Sequence, residues 1–412
     1  MIKEEMFDVV VLGGGPSGMA AALEAEKNGS KVAIVEREER LGGILKQCIH
    51  SGFGLHHFGE EMTGPEYARR FIELVEKSNI RLFLSSYVET VKSGLVAIKN
   101  KDGVINLRCK AVVVAVGCRE RTAGAIAMAG ERPNGVWTAG QVQKWVNIYG
   151  KLPCKNPIIL GSGDIGLVMA RRLTLEGAKP QMVLEVQKTT SGLKRNISQC
   201  LNDFNIPLYL STTVAEVVGY PNIEGVYVAK VDDNGKIIDT TKRYYPCDGL
   251  VLSVGLIPEN GLIKDAKMNP KTNSFIVNEY NETSLDGIFA CGNVLHVHDL
   301  VDFVTAESLK TGRYASEYAK GNLSYGISHE IKAGNGVRYT MPNSYFEGSG
   351  EIEILFRVVS KYVKTNILVK DVNGNVIAKK FVISANAGEM QTIKVNKDGL
   401  MSDIIVEMES KI

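Results

Sequence analysis

The residues best suited to chemistry are two sets of glycines, each followed about twenty residues on by a glutamate. Gly13, Gly15 and Gly18 lie in FDVVVLGGGPSGMAAALEAEKNGSKVAIVE, which Glu36 closes. Gly161, Gly163 and Gly166 lie in NPIILGSGDIGLVMARRLTLEGAKPQMVLE, which Glu185 closes. In such a fingerprint the first glycine makes the tight turn after a buried strand. The second lets the backbone approach a pyrophosphate, and the third lets the helix pack closely on the strand. The helix N-terminus holds the negative charge, and the terminal acid accepts hydrogen bonds from a ribose diol. A lone fingerprint is weak evidence. Two, each with strand, helix and acid in order, predict two dinucleotides and hydride transfer between them.

The remaining reactive side chains are fewer. Cys48 follows Gly42 and Gly43 and has no cysteine within ten residues. A packed thiol is the plainer reading, and cycling through sulfenic acid is the other. His50, His56 and His57 form one histidine group, His296 and His298 a second. No cysteine or carboxylate stands at metal-ligand spacing from them, so metal binding is not expected. Proton delivery and ordinary loop packing both remain open.

The elements that must position these residues repeat. After each strand–helix–strand unit come alternating strands around a turn, at Lys101-Asp102-Gly103 and at Asn234-Gly235, and then a closing apolar strand ending at Gly117 or Gly255. The expected fold class is α/β, with two Rossmann-like three-layer dinucleotide-binding domains and a C-terminal all-β domain. The first domain is discontinuous, residues 1–118 and 256–325, and the second spans 119–255. Residues 330–412 alternate apolar and polar at the strand period and predict a small antiparallel sandwich without histidine or cysteine.

Composition excludes several classes. The 412 residues carry a net charge of +2, which gives no case for nucleic acid. No apolar run nears the ~18 residues of a spanning helix. The first strand begins within about seven residues, which leaves no room for a signal peptide. The seven cysteines are scattered, as free thiols in a reducing compartment would be. The expectation is a cytoplasmic protein.

These residues resemble the two-dinucleotide-binding flavoprotein superfamily, the glutathione reductase-like fold. GGGPSG with Glu36, VVVAVG before Cys118, and TSLDGIFACGN from Thr283 to Asn293 match its three FAD signatures. Asn293 stands where the superfamily usually has aspartate. The resemblance implies FAD against Gly13, Gly15, Pro16, Ser17, Gly18, Glu36, Arg37, Gly42, Gly43, Ile44, Val88, Ala115, Gly117, Gly292, Asn293, Val304 and Thr305. It implies NAD(H) against Gly161, Gly163, Asp164, Ile165, Gly166, Glu185 and Gly255. LGGILKQCIHSGFGLHHFGEEMTGPEYARRF, SGLKRNISQCLNDFNIPL and ACGNVLHVHDLVDFVTAESLKTGR further resemble FAD/NAD oxidoreductases associated with glycerol-3-phosphate dehydrogenase. These are cousins of the sarcosine oxidase and opine dehydrogenase flavin subunits. That likeness implies a complex with an FAD-dependent glycerol-3-phosphate dehydrogenase-like subunit.

The implied reaction passes hydride between NAD(H) and the flavin. Glu185 would repel a 2′-phosphate, which favours NADH, and only Lys188 offers a nearby cation. A helix starting near Asp302 to Thr305 would aim its positive end at the flavin. Disulfide reductases carry a redox cysteine pair after the double glycine. Here only Cys48 follows, so Cys48, Lys46 and His50 are the catalytic candidates. A second reading is a scaffold subunit that keeps FAD structurally and docks partners through its β region.

Overall fold

The computed structural model describes residues 3–409. The chain divides into two compact units, one of residues 1–118 and 258–412, the other of residues 119–257. Six helices occur among the described residues: α1 (Pro16–Lys27), α2 (Gly64–Glu76), α3 (Ala139–Asn147), α4 (Asp164–Leu175), α5 (Lys194–Cys200) and α6 (Val301–Lys320).

The first unit is built on a parallel sheet in the order Ile288–Ala290, Ala111–Val114, Val9–Leu12, Val32–Val35, Arg81–Phe83. Its central strands are unbroken valine, isoleucine, leucine and alanine because both faces are covered. Side chains alternate across a strand. Val9 and Val11 therefore enter the core beneath α1 and α2, while Val10 and Leu12 enter a second core against the Tyr87–Lys92, Leu95–Asn100 and Gly103–Arg108 meander. Each such buried side chain contributes roughly 1.5–3 kcal/mol of transfer free energy. Ala20, Ala21, Ala22 and Ala25 keep α1 thin, and α6 lies close against it. A methyl on Gly312 of α6 would stand 2.1 Å from the Ala21 carbonyl oxygen.

The second unit repeats the plan. Its parallel sheet runs Val136–Thr138, Leu250–Leu252, Ile158–Leu160, Met182–Glu185, Leu208–Leu210. An antiparallel meander follows, Thr212–Val218, Gly225–Lys230 and Arg243–Pro246. The Asn234-Gly235 turn forms, but only one bridge, Val231 to Ile237, flanks it. Around it Asp232 N–H donates to the Lys236 carbonyl and Ile238 N–H to the Lys230 carbonyl, each at 2.9 Å, and Lys230 N–H donates to Thr241 Oγ1 at 2.9 Å.

The C-terminal strands form a sandwich of a five-stranded and a three-stranded sheet around Tyr345, Phe356, Ile354, Ile367, Val369 and Val406. It departs from the expected all-antiparallel pattern. Ser328–Ala333 pairs in parallel with Ile404–Met408. The long excursion between these two strands visits the other sheet, which is what a parallel pair requires. The sandwich also packs on the first sheet's unit. Met341 is buried in the meander-side core, and Phe346 stacks on Tyr280 at 5.5 Å between ring centroids.

Candidate functional site

Each fingerprint folds into the same cradle. Val9–Leu12 ends at Gly13, which takes φ +103°, and a methyl there would lie 2.5 Å from the Ala115 carbonyl oxygen. Ile158–Leu160 ends at Gly161, with φ +100°, where a methyl would lie 2.0 Å from the Ser253 carbonyl oxygen. In both, a neighbouring strand of the same sheet presses against the turn. The third glycine seats the helix. A methyl on Gly18 would meet the Gly13 carbonyl oxygen at 1.7 Å, and one on Gly166 the Ser253 Cβ at 2.6 Å.

The middle glycines differ in kind from these. Gly15 caps α1 and Gly163 caps α4, and neither helix has a side-chain cap. Pro16 stands in the first turn of α1, where its missing N–H costs nothing. The first-turn N–H groups of α1 therefore face open space, as an anion site requires, whereas in α4 the Gly166 N–H already donates to Ser253 Oγ at 3.1 Å. Nothing lies nearer than 3.9 Å to a methyl placed on Gly15, and that neighbour is the Cα of Gly43.

The terminal acids sit beside these turns. Glu36 is buried and accepts from Gly14 N–H at 2.7 Å and Glu38 N–H at 2.8 Å. Two oxygens with about four acceptor sites retain capacity for a diol. Glu185 accepts from Ser162 N–H at 3.0 Å and Gln187 N–H at 2.9 Å. It takes two donors more than Glu36, the Ser162 hydroxyl in a short bond and the Ser191 hydroxyl at 3.5 Å. Ser162 occupies the place of Gly14. It also accepts from Ser191 N–H at 3.0 Å, and Asp164 accepts from Leu193 N–H at 2.8 Å and Asn196 Nδ2 at 2.6 Å. Segment 191–193 is thus tied to the second cradle, an arrangement that the spacing of the fingerprint did not announce. Ile165 lies in the first turn of α4, and Gly255 takes φ +102° with only the Arg121 side chain near, at 3.8 Å.

Around the first cradle, Gly42 and Gly43 take positive φ and open a short helical turn, Gly43–Gln47, bearing Ile44 and Lys46. Ile44 is exposed and Arg37 is largely solvated. Gly117 takes φ +73° in open space. Val88 packs on the meander-side core opposite Ile98, two residues beyond Ser86, whose N–H donates to the Glu36 carbonyl at 3.0 Å. Gly292 N–H donates to Glu307 at 2.7 Å, and Asn293 Oδ1 accepts from His298 N–H at 3.2 Å. Ser17 Oγ lies 2.7 Å from Ser308 Oγ and donates to Cys291 Sγ at 3.2 Å. These bonds join α1, α6 and the 291–293 turn. Val304 is buried beside Gly292, and Thr305 Oγ1 lies 2.7 Å from the Tyr67 hydroxyl.

The catalytic candidates Cys48, Lys46 and His50 each bond a nearby backbone carbonyl. Burial pushes the Cys48 thiol up to about 12, so it keeps its proton, and it donates to the Ile44 carbonyl at 3.4 Å. All seven cysteines are free thiols. Lys46 Nζ bonds the Arg40 carbonyl at 3.2 Å while its stem covers Gly42. His50 bonds the Ser51 carbonyl at 3.0 Å and leans on Phe53. His56 stacks on Phe303 and His57 on Phe71.

Two buried acids on α6 organise the region, and both escaped sequence reasoning. Asp302 accepts from Gly54 N–H at 3.1 Å and His57 N–H at 2.9 Å, fixing the 50s loop to the first turn of α6. Glu307 bonds His296 Nε2 at 2.7 Å and lies 3.2 Å from His298 Nε2. Burial pushes the Glu307 carboxyl up, but the two imidazoles outweigh it and hold the group well below the usual carboxylate range. His296 is pushed down, first by burial and then by His298, and is neutral. The HVH-then-helix-acid pattern was the available signal for this cluster.

A fold with two glycine cradles, each ending a parallel strand and opening an uncapped helix, defines a double-dinucleotide oxidoreductase. The chain belongs to the pyridine nucleotide-disulphide oxidoreductase family, whose profile it matches over residues 7–316. It is an NAD(P)H-dependent flavin oxidoreductase with FAD and a pyridine nucleotide as cofactors. The chain is 24% identical to thioredoxin reductase of Ureaplasma parvum serovar 3, across 78% of this chain and 99% of the relative. It is 23% identical to dihydrolipoyl dehydrogenase of Buchnera aphidicola subsp. Baizongia pistaciae, across 94% of this chain and 88% of the relative. Among solved structures, T. acidophilum thioredoxin reductase superposes with a TM-score of 0.62 at 22% identity, over 77% of this chain and 99% of that one. The family match ends within α6, before the C-terminal sheets. No helix among the described residues is long and apolar enough to cross a membrane.

Proposed function

We propose that FAD lies on the Gly13–Gly18 cradle and NADH on the Gly161–Gly166 cradle. The observation that carries this reading is a helix N-terminus without a capping side chain at its N-cap glycine, Gly15 and Gly163, each beside a buried glutamate. With both bound, the nicotinamide supplies a hydride and flavin N5 receives it.

The chain's own groups bind and orient. The first-turn N–H groups of α1 and α4 neutralise the two pyrophosphates. Glu36 and Glu185, preset by backbone N–H bonds, receive the ribose diols, and the Glu185 charge disfavours a 2′-phosphate. The N-terminus of α6, with Val304 and Thr305, would hold the flavin ring, and its positive dipole end would favour negative charge there. Cys48, half-buried and protonated, takes no electrons. These pass to an acceptor outside the chain.

We further infer that this acceptor, or donor, is a partner flavoprotein of the glycerol-3-phosphate dehydrogenase type, with dioxygen as the alternative. Three segment likenesses support the partner, and co-purification from the native host tests it. The function itself is tested by anaerobic addition of NADH, and separately NADPH, to the FAD-loaded protein. Bleaching by NADH at far lower concentration than by NADPH is expected. Bound FAD that neither nucleotide bleaches would favour the scaffold reading.

A further inference from the structure

Segment 296–300 joins the Gly292–Asn293 turn to α6 and has no strand or helix of its own. It needs an outside support, and the C-terminal sandwich supplies one. Strand Glu351–Val358 buries Ile352, Ile354, Phe356 and Val358 in the sandwich core. Its other face therefore carries Glu353, Leu355 and Arg357. All three reach the body of the first unit. Glu353 accepts from Lys310 of α6 at 2.7 Å, and Leu355 packs on the core that holds Val294 and Leu295. Arg357 Nη2 donates to the Val297 carbonyl at 2.9 Å and to Asp299 Oδ1 at 2.7 Å. The second Asp299 oxygen accepts from Met390 N–H at 2.7 Å. Both carboxylate oxygens of Asp299 are thus held by the C-terminal region. The pair is shielded, with side chains 14% and 18% exposed, so solvent screens it little.

We propose that Arg357 is a positioning residue. Through Asp299 and the Val297 carbonyl it fixes the loop that sets the first turn of α6, so the C-terminal sandwich tunes the bound flavin. This rests on the reading that α6 faces the flavin of the first cradle. The chain of contacts is short. Asn293 accepts from His298 N–H, Gly292 donates to Glu307 on α6, and Arg357 holds the two residues on either side of His298. A loop freed at Asp299 loses its register with both.

The test uses the full chain with Arg357→Met, Asp299→Asn, the two combined, Arg357→Lys, and Lys397→Met. Lys397 is the control, because it ties the same sandwich to the first unit elsewhere, through the buried Glu279 at 2.7 Å. FAD dissociation constants and flavin midpoint potentials are measured together with thermal midpoints. Arg357→Met and Asp299→Asn should each weaken FAD about tenfold, and the double variant should be no worse than either alone. If oxidised and reduced flavin are affected unequally, each tenfold inequality moves the potential by about 30 mV. Arg357→Lys should recover part of the loss. Lys397→Met should lower the thermal midpoint and leave FAD affinity and potential unchanged. Wild-type FAD affinity and potential in Asp299→Asn, which keeps the side chain's shape, would overturn the proposal, as would an equal effect of Lys397→Met. A wild-type protein that binds no FAD is a different result and overturns the cofactor reading beneath it.

Discussion

Replacing Gly15 by alanine separates the cradle's ligand role from its structural role. Gly15 caps α1 with φ −76° and ψ −175°, a conformation open to any residue. The added methyl meets nothing closer than 3.9 Å. Alanine is a poorer N-cap than glycine, at a cost of up to ~1 kcal/mol. Lower entropy of the unfolded chain favours alanine by about 0.4–1 kcal/mol. The two nearly cancel, so the flavin-free protein should melt within a few degrees of wild type. A pyrophosphate must approach through the space that this methyl fills. Losing one hydrogen bond to a charged phosphate costs about 1.5–3 kcal/mol, or roughly 10- to 150-fold in affinity. Titration of flavin-free protein with FAD, followed by quenching of flavin fluorescence, reads the affinity, and a thermal scan reads the stability. Gly18→Ala is the contrast, because its methyl would stand 1.7 Å from a backbone oxygen and the flavin-free protein itself should fail. Wild-type FAD affinity in Gly15→Ala would refute the reasoning. So would a loss of stability as large as that of Gly18→Ala.

The second cradle gives a parallel outcome. The methyl of Gly163→Ala meets Ser253 Oγ at 3.0 Å, which itself accepts from Gly166 N–H, and the Ser253 carbonyl oxygen at 3.6 Å. NADH should bind at least about tenfold more weakly while FAD stays bound, as equilibrium titration would show. Cys48→Ser should leave flavin reduction by NADH intact within about twofold, since a thiol held near 12 is not a working nucleophile. Stopped-flow loss of reduction with FAD still bound would contradict it. Stability should fall with acid. Glu307 and His296 both have folded values below their unfolded ones, so the unfolded chain binds more protons. The loss should begin as pH drops through about 6.5 and continue through about 4.3. A thermal midpoint flat across that window, or one that His296→Gln leaves equally pH-dependent, would count against the cluster.

The cradles were legible because glycine spacing, apolar strands and a terminal acid are local constraints that act over about thirty residues. The sheets followed from them; the α6 start, which the sequence places near Asp302 to Thr305 after the third FAD signature, lies at Val301. What was not legible depends on contacts between distant segments. Asp302 reads as an ordinary first-turn acid until Gly54 and His57 are seen to donate to it. Arg357 reads as one polar position in an alternating strand, and nothing near it points to Asp299, fifty-eight residues upstream. The parallel pair of Ser328–Ala333 and Ile404–Met408 has no local signature either, since alternation does not encode strand direction. Cys48 shows the reverse case. Its position after a double glycine suggested chemistry, and its half-buried setting raises its thiol pKa.

The central claim is that this chain moves a hydride from NADH to its own flavin. Anaerobic stopped-flow mixing of FAD-loaded protein with NADH tests it most directly. Rapid loss of the yellow flavin band is expected, with one NADH consumed per flavin, and in Gly163→Ala the same loss should need at least about tenfold more NADH. A wild-type flavin that stays yellow under saturating NADH would contradict it.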